Sequence, residues 1–351
     1  MKFINHLIFL ILVCFIIGCT SSSDLRNQVE IDLRNESISK LDMDTSNRVF
    51  PNHDFVSPVK AVQDSKGNLF VWDRGFGKIF KASNDSLIMV GKSGLGPGEY
   101  IEINELSFDA INQEIIIHDI EQAKLLFFDE EINFLRETSM PIYFEHIQRL
   151  KSGDFGLYTS GDNLIGGVVS QHNFVVTDSS FSSIKSSLIS YNDTLDNIAL
   201  GKHYFEEIGD EIFLIYPFDE KIYILDKDSY SLNRIMNLKF SSVSGMDRFN
   251  KIAELEELFD LVYAEGSQFK GLPFNIYHSQ NYLMFQFMNS SKRAFGLIDL
   301  NDNSVKLFQF NGDSRFYPDF VLGVYQDQFL IRAPFEDRYG LFLLDPALYF
   351  K

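Results

Sequence analysis

Val59-Lys60-Ala61-Val62-Gln63-Asp64-Ser65-Lys66-Gly67-Asn68-Leu69-Phe70-Val71-Trp72-Asp73 decides the fold. Two β-rich runs flank Lys66-Gly67-Asn68, whose residues suit a tight reversal, so the stretch reads as a hairpin. Lys78-Ile79-Phe80-Lys81 and Leu87–Val90 follow as two more short strands.

The same unit recurs along the chain. A second copy runs through Asn104–Phe108, Glu114–Asp119, Lys124–Phe128 and Phe134–Met140, and a third through Phe144–Leu150, Phe155–Thr159, Asn173–Thr177 and Ser183–Ser190. A fourth uses Tyr204–Ile208, Glu211–Tyr216, Lys221–Leu225 and Leu232–Lys239; a fifth uses Phe274–His278, Tyr282–Met288, Ala294–Asp299 and Val305–Phe310. The sixth has Phe320–Tyr325, Gln328–Arg332 and Tyr339–Leu344. Most units are near the roughly 40–50-residue period of propeller blades, which predicts an all-β chain with a single six-bladed β-propeller over residues 29–351.

The sixth unit holds three strands. Val29-Glu30-Ile31-Asp32-Leu33 alternates as an edge strand does, and is expected to pair with the last blade and close the ring, leaving few open edges. One insertion interrupts the period: between Asp247 and Glu265, Phe249, Ile252, Leu255, Leu258, Phe259 and Val262 fall at helical spacing, with Asp247 placed to cap the start and Gly266 to end it. A helix packed on the rim is the favoured reading, and a lid over one mouth the alternative.

Residues 1–18 read as a signal peptide: Met1-Lys2, then a short apolar run to Ile17. The run is short for a membrane span of about 20 residues, which leaves a plain transmembrane anchor as the weaker reading. Cys14 departs with the signal, and the mature chain has no thiol left for a disulfide once Cys19 is used. Residues 19–28 form a polar tether.

The formal charge is −18, or about −19 without the signal segment. That balance repels phosphate backbones and anionic membrane surfaces, so no nucleic-acid partner is expected and contact with a bilayer would pass through a lipid alone.

Ile16-Ile17-Gly18-Cys19 resembles the lipobox of bacterial lipoproteins, which implies that Cys19 becomes a lipidated N-terminus. Gly94-Leu95-Gly96-Pro97-Gly98-Glu99-Tyr100 resembles a segment between the first two blades of the six-bladed β-propeller lipoproteins of bacterial outer membranes; the chain is also similar in outline to NHL-type and TolB-type propellers. The resemblance implies fold and location rather than a reaction. It makes Gly94, Gly96, Pro97, Gly98 and Glu99 a structural loop. The resemblance also implies that an acidic run after the cysteine directs surface export; Thr20-Ser21-Ser22-Ser23-Asp24 supplies one acid, so the periplasmic face is the expected one.

Catalytic signatures are missing from the sequence. Gly91-Lys92-Ser93 lacks the earlier glycine of a Walker A loop, since Ser86 stands there, and the glycine spacing does not fit a dinucleotide fingerprint. No Gly-x-Ser-x-Gly elbow occurs. The mature histidines show no metal-ligand spacing, and Asp226-Lys227-Asp228 and Asp299-Leu300-Asn301-Asp302 read as turns, so no metal or cofactor is expected. Asp85-Ser86-Leu87 and Asp193-Thr194-Leu195 resemble O-glycosylation acceptors at a frequency chance supplies.

The ends of second strands gather at one mouth of a propeller channel. That places Asp73, Arg74, His118, Asp119, Tyr216 and Arg332 together as a candidate ligand site for a small polar molecule, a glycan or a peptide. The expected function is a non-enzymatic binding or scaffolding module in the cell envelope, with an outer-membrane protein as a possible partner. The competing reading is a hydrolase or lyase acting on a glycan or small metabolite at the channel mouth. Acidic and histidine side chains converging in one mouth would favour the latter.

Overall fold

A computed structural model describes residues 28–41, 47–83, 86–140, 142–159, 161, 163–190, 201–241, 245–249, 252, 254–263, 269–290, 292–310, 320–335 and 338–350. The signal segment, Cys19 and Asp193-Thr194-Leu195 lie outside these residues.

Three N-terminal strands come first: β1 (Gln28–Asp32), β2 (Ile38–Leu41) and β3 (Arg48–Val49). Blade 1 is β4 (Pro58–Gln63), β5 (Leu69–Asp73), β6 (Lys78–Ser83) and β7 (Ser86–Val90). A two-strand link, β8 (Lys92–Ser93) and β9 (Glu99–Tyr100), leads to blade 2: β10 (Ile103–Asp109), β11 (Glu114–Asp119), β12 (Lys124–Asp129) and β13 (Phe134–Ser139). Blade 3 is β14 (His146–Arg149), β15 (Phe155–Tyr158), β18 (His172–Thr177) and β19 (Ile184–Ser190). It carries an inserted hairpin, β16 (Asn163–Ile165) and β17 (Val168–Ser170).

Blade 4 is β20 (Phe205–Ile208), β21 (Glu211–Tyr216), β22 (Lys221–Asp226) and β23 (Leu232–Lys239). Blade 5 is β24 (Lys270–Ser279), β25 (Tyr282–Asn289), β26 (Lys292–Asp299) and β27 (Val305–Phe310). Blade 6 is β28 (Phe320–Tyr325), β29 (Gln328–Phe335) and β30 (Arg338–Leu344). The six-bladed propeller read from the repeats is therefore the fold.

An N-terminal strand does complete blade 6, but not the expected one. β3 pairs antiparallel with β30, setting Arg48 beside Phe342 and Val49 beside Leu341. Val29–Leu33 instead runs with blade 4: β1 lies parallel to β23, with Ile31 opposite Leu238. Its apolar side chains decide the place, since Ile31 and Leu33 are buried in the core shared by blade 4 and its neighbours. β2 then lies parallel to β27 on blade 5. The N-terminal segment is thus a belt around blades 4, 5 and 6.

The insertion between blades 4 and 5 is two helices rather than one, α1 (Gly245–Phe249) and α2 (Leu255–Tyr263). Asp247 sits inside the first turn of α1 instead of capping a longer helix. Phe249, Leu258 and Val262 are buried, whereas Phe259 is 46% exposed, since on the second helix it lies to one side of the face that Leu258 and Val262 bury. Gly266 lies outside the described residues.

Blades stack face to face, so the inner and middle strands of each sheet are buried on both faces and the middle strands read as continuous apolar runs. In β5, Phe70 and Trp72 pack with Leu106, Ile115 and Ile117 of blade 2. Leu69 and Val71 of the same strand join the opposite cluster, with Leu322 and Leu330 of blade 6. Each fully buried side chain of this size contributes roughly 1.5–3 kcal/mol of transfer free energy.

The Gly-rich link is held by close contacts and hydrogen bonds of its own. Gly98 has φ +72°, and a Cβ there would sit 2.8 Å from the Phe134 ring. The Glu99 carboxylate accepts the Gly96 N–H at 2.8 Å, and the Gln122 amide donates to the carbonyls of Gly94 and Glu99.

Candidate functional site

In a propeller the first strand of each blade lines the central channel. Here those strands mix apolar and polar residues, and among the polar ones are Lys60 in β4, Glu105 in β10, His146 in β14, Glu206 in β20 and Tyr277 in β24. These side chains meet at the axis. Gly323 of β28 lets the ring close there, since a Cβ would lie 2.3 Å from the Ala61 carbonyl oxygen.

One end of the channel is blocked by an ionic network. Lys60 pairs with Glu105 and also donates to the Lys202 carbonyl at 3.0 Å. Lys202 donates to Glu145 at 2.9 Å and to Asn104, with Trp72 beneath its ammonium. Blades 1, 2 and 3 and the segment before β20 are thereby tied together. Burial pushes the Glu105 carboxyl up to about 7 and the Lys60 ammonium down, against their mutual attraction.

Beyond this floor lies a cavity of about 430 Å³, lined by residues that include Lys60, Gln148, His203, Glu206, Tyr277 and Asp327. Asp64 and Asp327, which follow the first strands of blades 1 and 6, also line it, so the cup opens on the face of the first-to-second-strand turns. One wall is a ring stack: His146 is 4.2 Å from His203, and His203 lies 4.5 Å from Tyr277 and nearly parallel to it.

The proton positions follow from the partners. The His146 Nδ1 accepts the Tyr204 N–H at 3.2 Å, which leaves its proton on Nε2. The His203 Nε2 lies 2.5 Å from the Glu206 carboxylate and donates to it. Its buried Nδ1 has no hydrogen-bond partner among the described residues. Burial lowers both imidazoles, His146 well below the usual range, so both are neutral at pH 7. The Tyr277 hydroxyl donates to the Val321 carbonyl at 3.1 Å. Acceptors dominate the opening, and a carboxylate, a neutral imidazole and stacked rings lie within one cup.

The residues expected from sequence lie at the opposite end, where second strands finish, and mostly within the protein. The buried Asp73 accepts the N–H groups of Val56 (2.7 Å), Ser57 (2.9 Å) and Gly75 (2.9 Å). Asp119 repeats the device one blade on, accepting from Ile101, Glu102 and Gln122. His118 stacks on Phe144 at 4.1 Å, and Tyr216 packs edge-on against Phe218. Arg332 donates to the Pro58 carbonyl and lies over Tyr339, joining blades 6 and 1. Arg74 is exposed. Asp226 and Asp299 cap their own turns through the N–H groups of Asp228, Ser229 and Asn301. Among the described residues no cluster of His, Cys, Asp and Glu has the arrangement of a metal site.

Sequence reasoning missed the cup residues because the first strands mix polar and apolar residues, as in Ile103-Asn104-Glu105-Leu106-Ser107-Phe108-Asp109, and nothing in that mixture says which side chain faces the axis.

Among solved structures, a Bacteroides fragilis protein assigned as exported is similar, with 17% identity, TM-score 0.67, and coverage of 90% of this chain and 98% of that one. A member of the duf4221 family from Bacteroides vulgatus follows at 12% identity, TM-score 0.52, and 88% and 98% coverage. A catalytically inactive virginiamycin B lyase from Staphylococcus aureus, with quinupristin, is at 12% identity, TM-score 0.50, and 88% and 99% coverage. At these identities the likeness is one of fold. No curated protein matches the chain. The sequence profile described as a 6-bladed beta-propeller matches residues 52–329, from just after the belt into the last blade, and by that match the chain belongs to the 6-bladed beta-propeller family.

Proposed function

We propose that this protein is a binding propeller of the cell envelope, tethered through a lipid on Cys19, that holds a small polar ligand in the axial cup. The observation that carries the ligand site is the cup itself: about 430 Å³, floored by the Lys60–Glu105 and Lys202–Glu145 pairs and walled by the first strands. Its acceptor-rich opening suits a neutral or cationic molecule that presents hydrogen-bond donors. The signal-like N-terminus and Ile16-Ile17-Gly18-Cys19 support the anchor, with the periplasmic face favoured and an outer-membrane protein as partner.

The test is thermal unfolding of the mature chain against a panel of saccharides, amines, amino acids and short peptides. A true ligand at about 100 times its Kd adds roughly 2.7 kcal/mol of stability. Glu206→Gln should abolish that gain. A panel without a stabilising compound, or one whose effect survives Glu206→Gln, contradicts the reading.

Acidic and histidine side chains do converge in this mouth, among them His146, His203, Glu206 and Asp327, and this feature, with the His203–Glu206 contact, favours a second reading, a hydrolase or lyase in the same cup. The carboxylate holds the imidazole in one tautomer, as a general base requires. Turnover of any binding compound that His203→Ala eliminates would replace the first reading by the second.

A further inference from the structure

Blades 4, 5 and 6 have their outer edges covered by β1, β2 and β3. Blades 1, 2 and 3 end on β7, β13 and β19, which have no outer strand partner among the described residues. β13 carries Arg136 and Glu137, and β19 carries Lys185, charges that discourage edge pairing. β7 is Ser86-Leu87-Ile88-Met89-Val90, without charge or proline.

Its side chains are apolar on both faces: Ile88 is 49% and Met89 40% exposed. Met89 neighbours Phe80 across the ladder, and the exposed Phe76 packs edge-on against Phe80 at 5.9 Å. An apolar row thus runs inward from the bare edge.

The Val90 end of this edge is cationic. Residues 58–93 hold six basic residues against three aspartates in a chain whose net charge is −18. Lys78, which donates to Ser93, and Lys92 stand at that end, and Arg74 lies in the turn that leads into β6; none has a carboxylate partner among the described residues. Blade 4 shows what such an edge accepts. β1, Gln28-Val29-Glu30-Ile31-Asp32, alternates apolar and acidic residues and lies parallel to β23, and its Glu30 pairs with Lys239 at the end of β23.

We infer that the outer edge of blade 1 is a docking site for an extended segment of a partner protein. The segment adds to β7 as a parallel fifth strand, apolar towards Met89 and Phe80 and acidic at its C-terminal end beside Arg74, Lys78 and Lys92. The main-chain ladder supplies affinity, and the cations supply direction. This surface is separate from the axial cup.

The probe is a labelled peptide of sequence Gln-Val-Glu-Ile-Asp-Leu, with a control in which Gln and Asn replace the two acids. Fluorescence polarisation and hydrogen exchange are read on the full mature chain. Amide protection on peptide addition is expected at residues 86–90. Binding should weaken about tenfold for the control peptide and for Arg74→Glu with Lys92→Glu. Protection at residues 232–239 instead, or none at millimolar peptide, overturns the inference. So does a concentration-dependent dimer that protects residues 86–90 without peptide, since a second copy would then be the occupant.

Discussion

Lys60 of blade 1 and Glu105 of blade 2 form an ion pair with side chains 2% and 0% exposed, at the point where the innermost strands approach the axis. Taking two charges out of water is costly, and here their attraction offsets that cost only while both are present. Glu105→Gln should therefore destabilise the chain by about 3–5 kcal/mol in urea unfolding. Lys60→Met with Glu105→Leu should recover much of that loss, because no unpaired charge remains. If the double variant is no better than the single one, the pair is not the dominant factor.

Acid should weaken the fold through His118. Burial lowers its pKa from 6.5 to about 4. Between those values the unfolded chain binds a proton that the folded chain does not, so stability falls as pH falls through this window. The loss at its acid end is roughly 3 kcal/mol. Glu105 works the other way, since its raised pKa lets the folded state keep a proton between 4.5 and about 7. The check is thus the difference between wild type and His118→Gln across pH 4 to 7. The variant should lose less stability over that range, and parallel curves would refute the assignment.

Gly98 and Gly167 separate two costs of a positive φ. Gly98 has φ +72° and no room for a Cβ beside Phe134, while Gly167 has φ +79° and open space. Gly167→Ala should cost about 1–2 kcal/mol, the backbone penalty alone. Gly98→Ala should cost about 1–3 kcal/mol more, because the ring must move. Chemical denaturation of the two variants measures the difference directly.

Fold and site were unequally legible in the sequence. Strand repeats follow from local patterning, so Leu69–Asp73 or Glu114–Asp119 could be placed from side-chain type alone. The closing strand could not. Val29–Leu33 and Arg48-Val49 both suit an edge, and only tertiary packing of Ile31 and Leu33 on blade 4 separates them. The site was harder still. Lys60, His146, Glu206 and Tyr277 are far apart in sequence and converge only once the ring has closed. Polar residues at second-strand ends were conspicuous, but there the backbone itself needs acceptors.

That need makes the last prediction. Asp73 accepts N–H groups from Val56, Ser57, Gly75 and Phe76, so one carboxylate joins the chain entering blade 1 to the loop after β5. Asp73→Ala leaves several of these donors without an acceptor, at about 1–3 kcal/mol for a buried group. Arg74, one residue on, is exposed, and Arg74→Ala should change stability by less than about 0.5 kcal/mol. Arg332→Ala should resemble Asp73→Ala, because Arg332 holds the Pro58 carbonyl across the blade 6 junction. Melting curves of the three variants test this. If Asp73→Ala were as stable as Arg74→Ala while abolishing ligand binding, the carboxylate would belong to a binding site rather than to the frame.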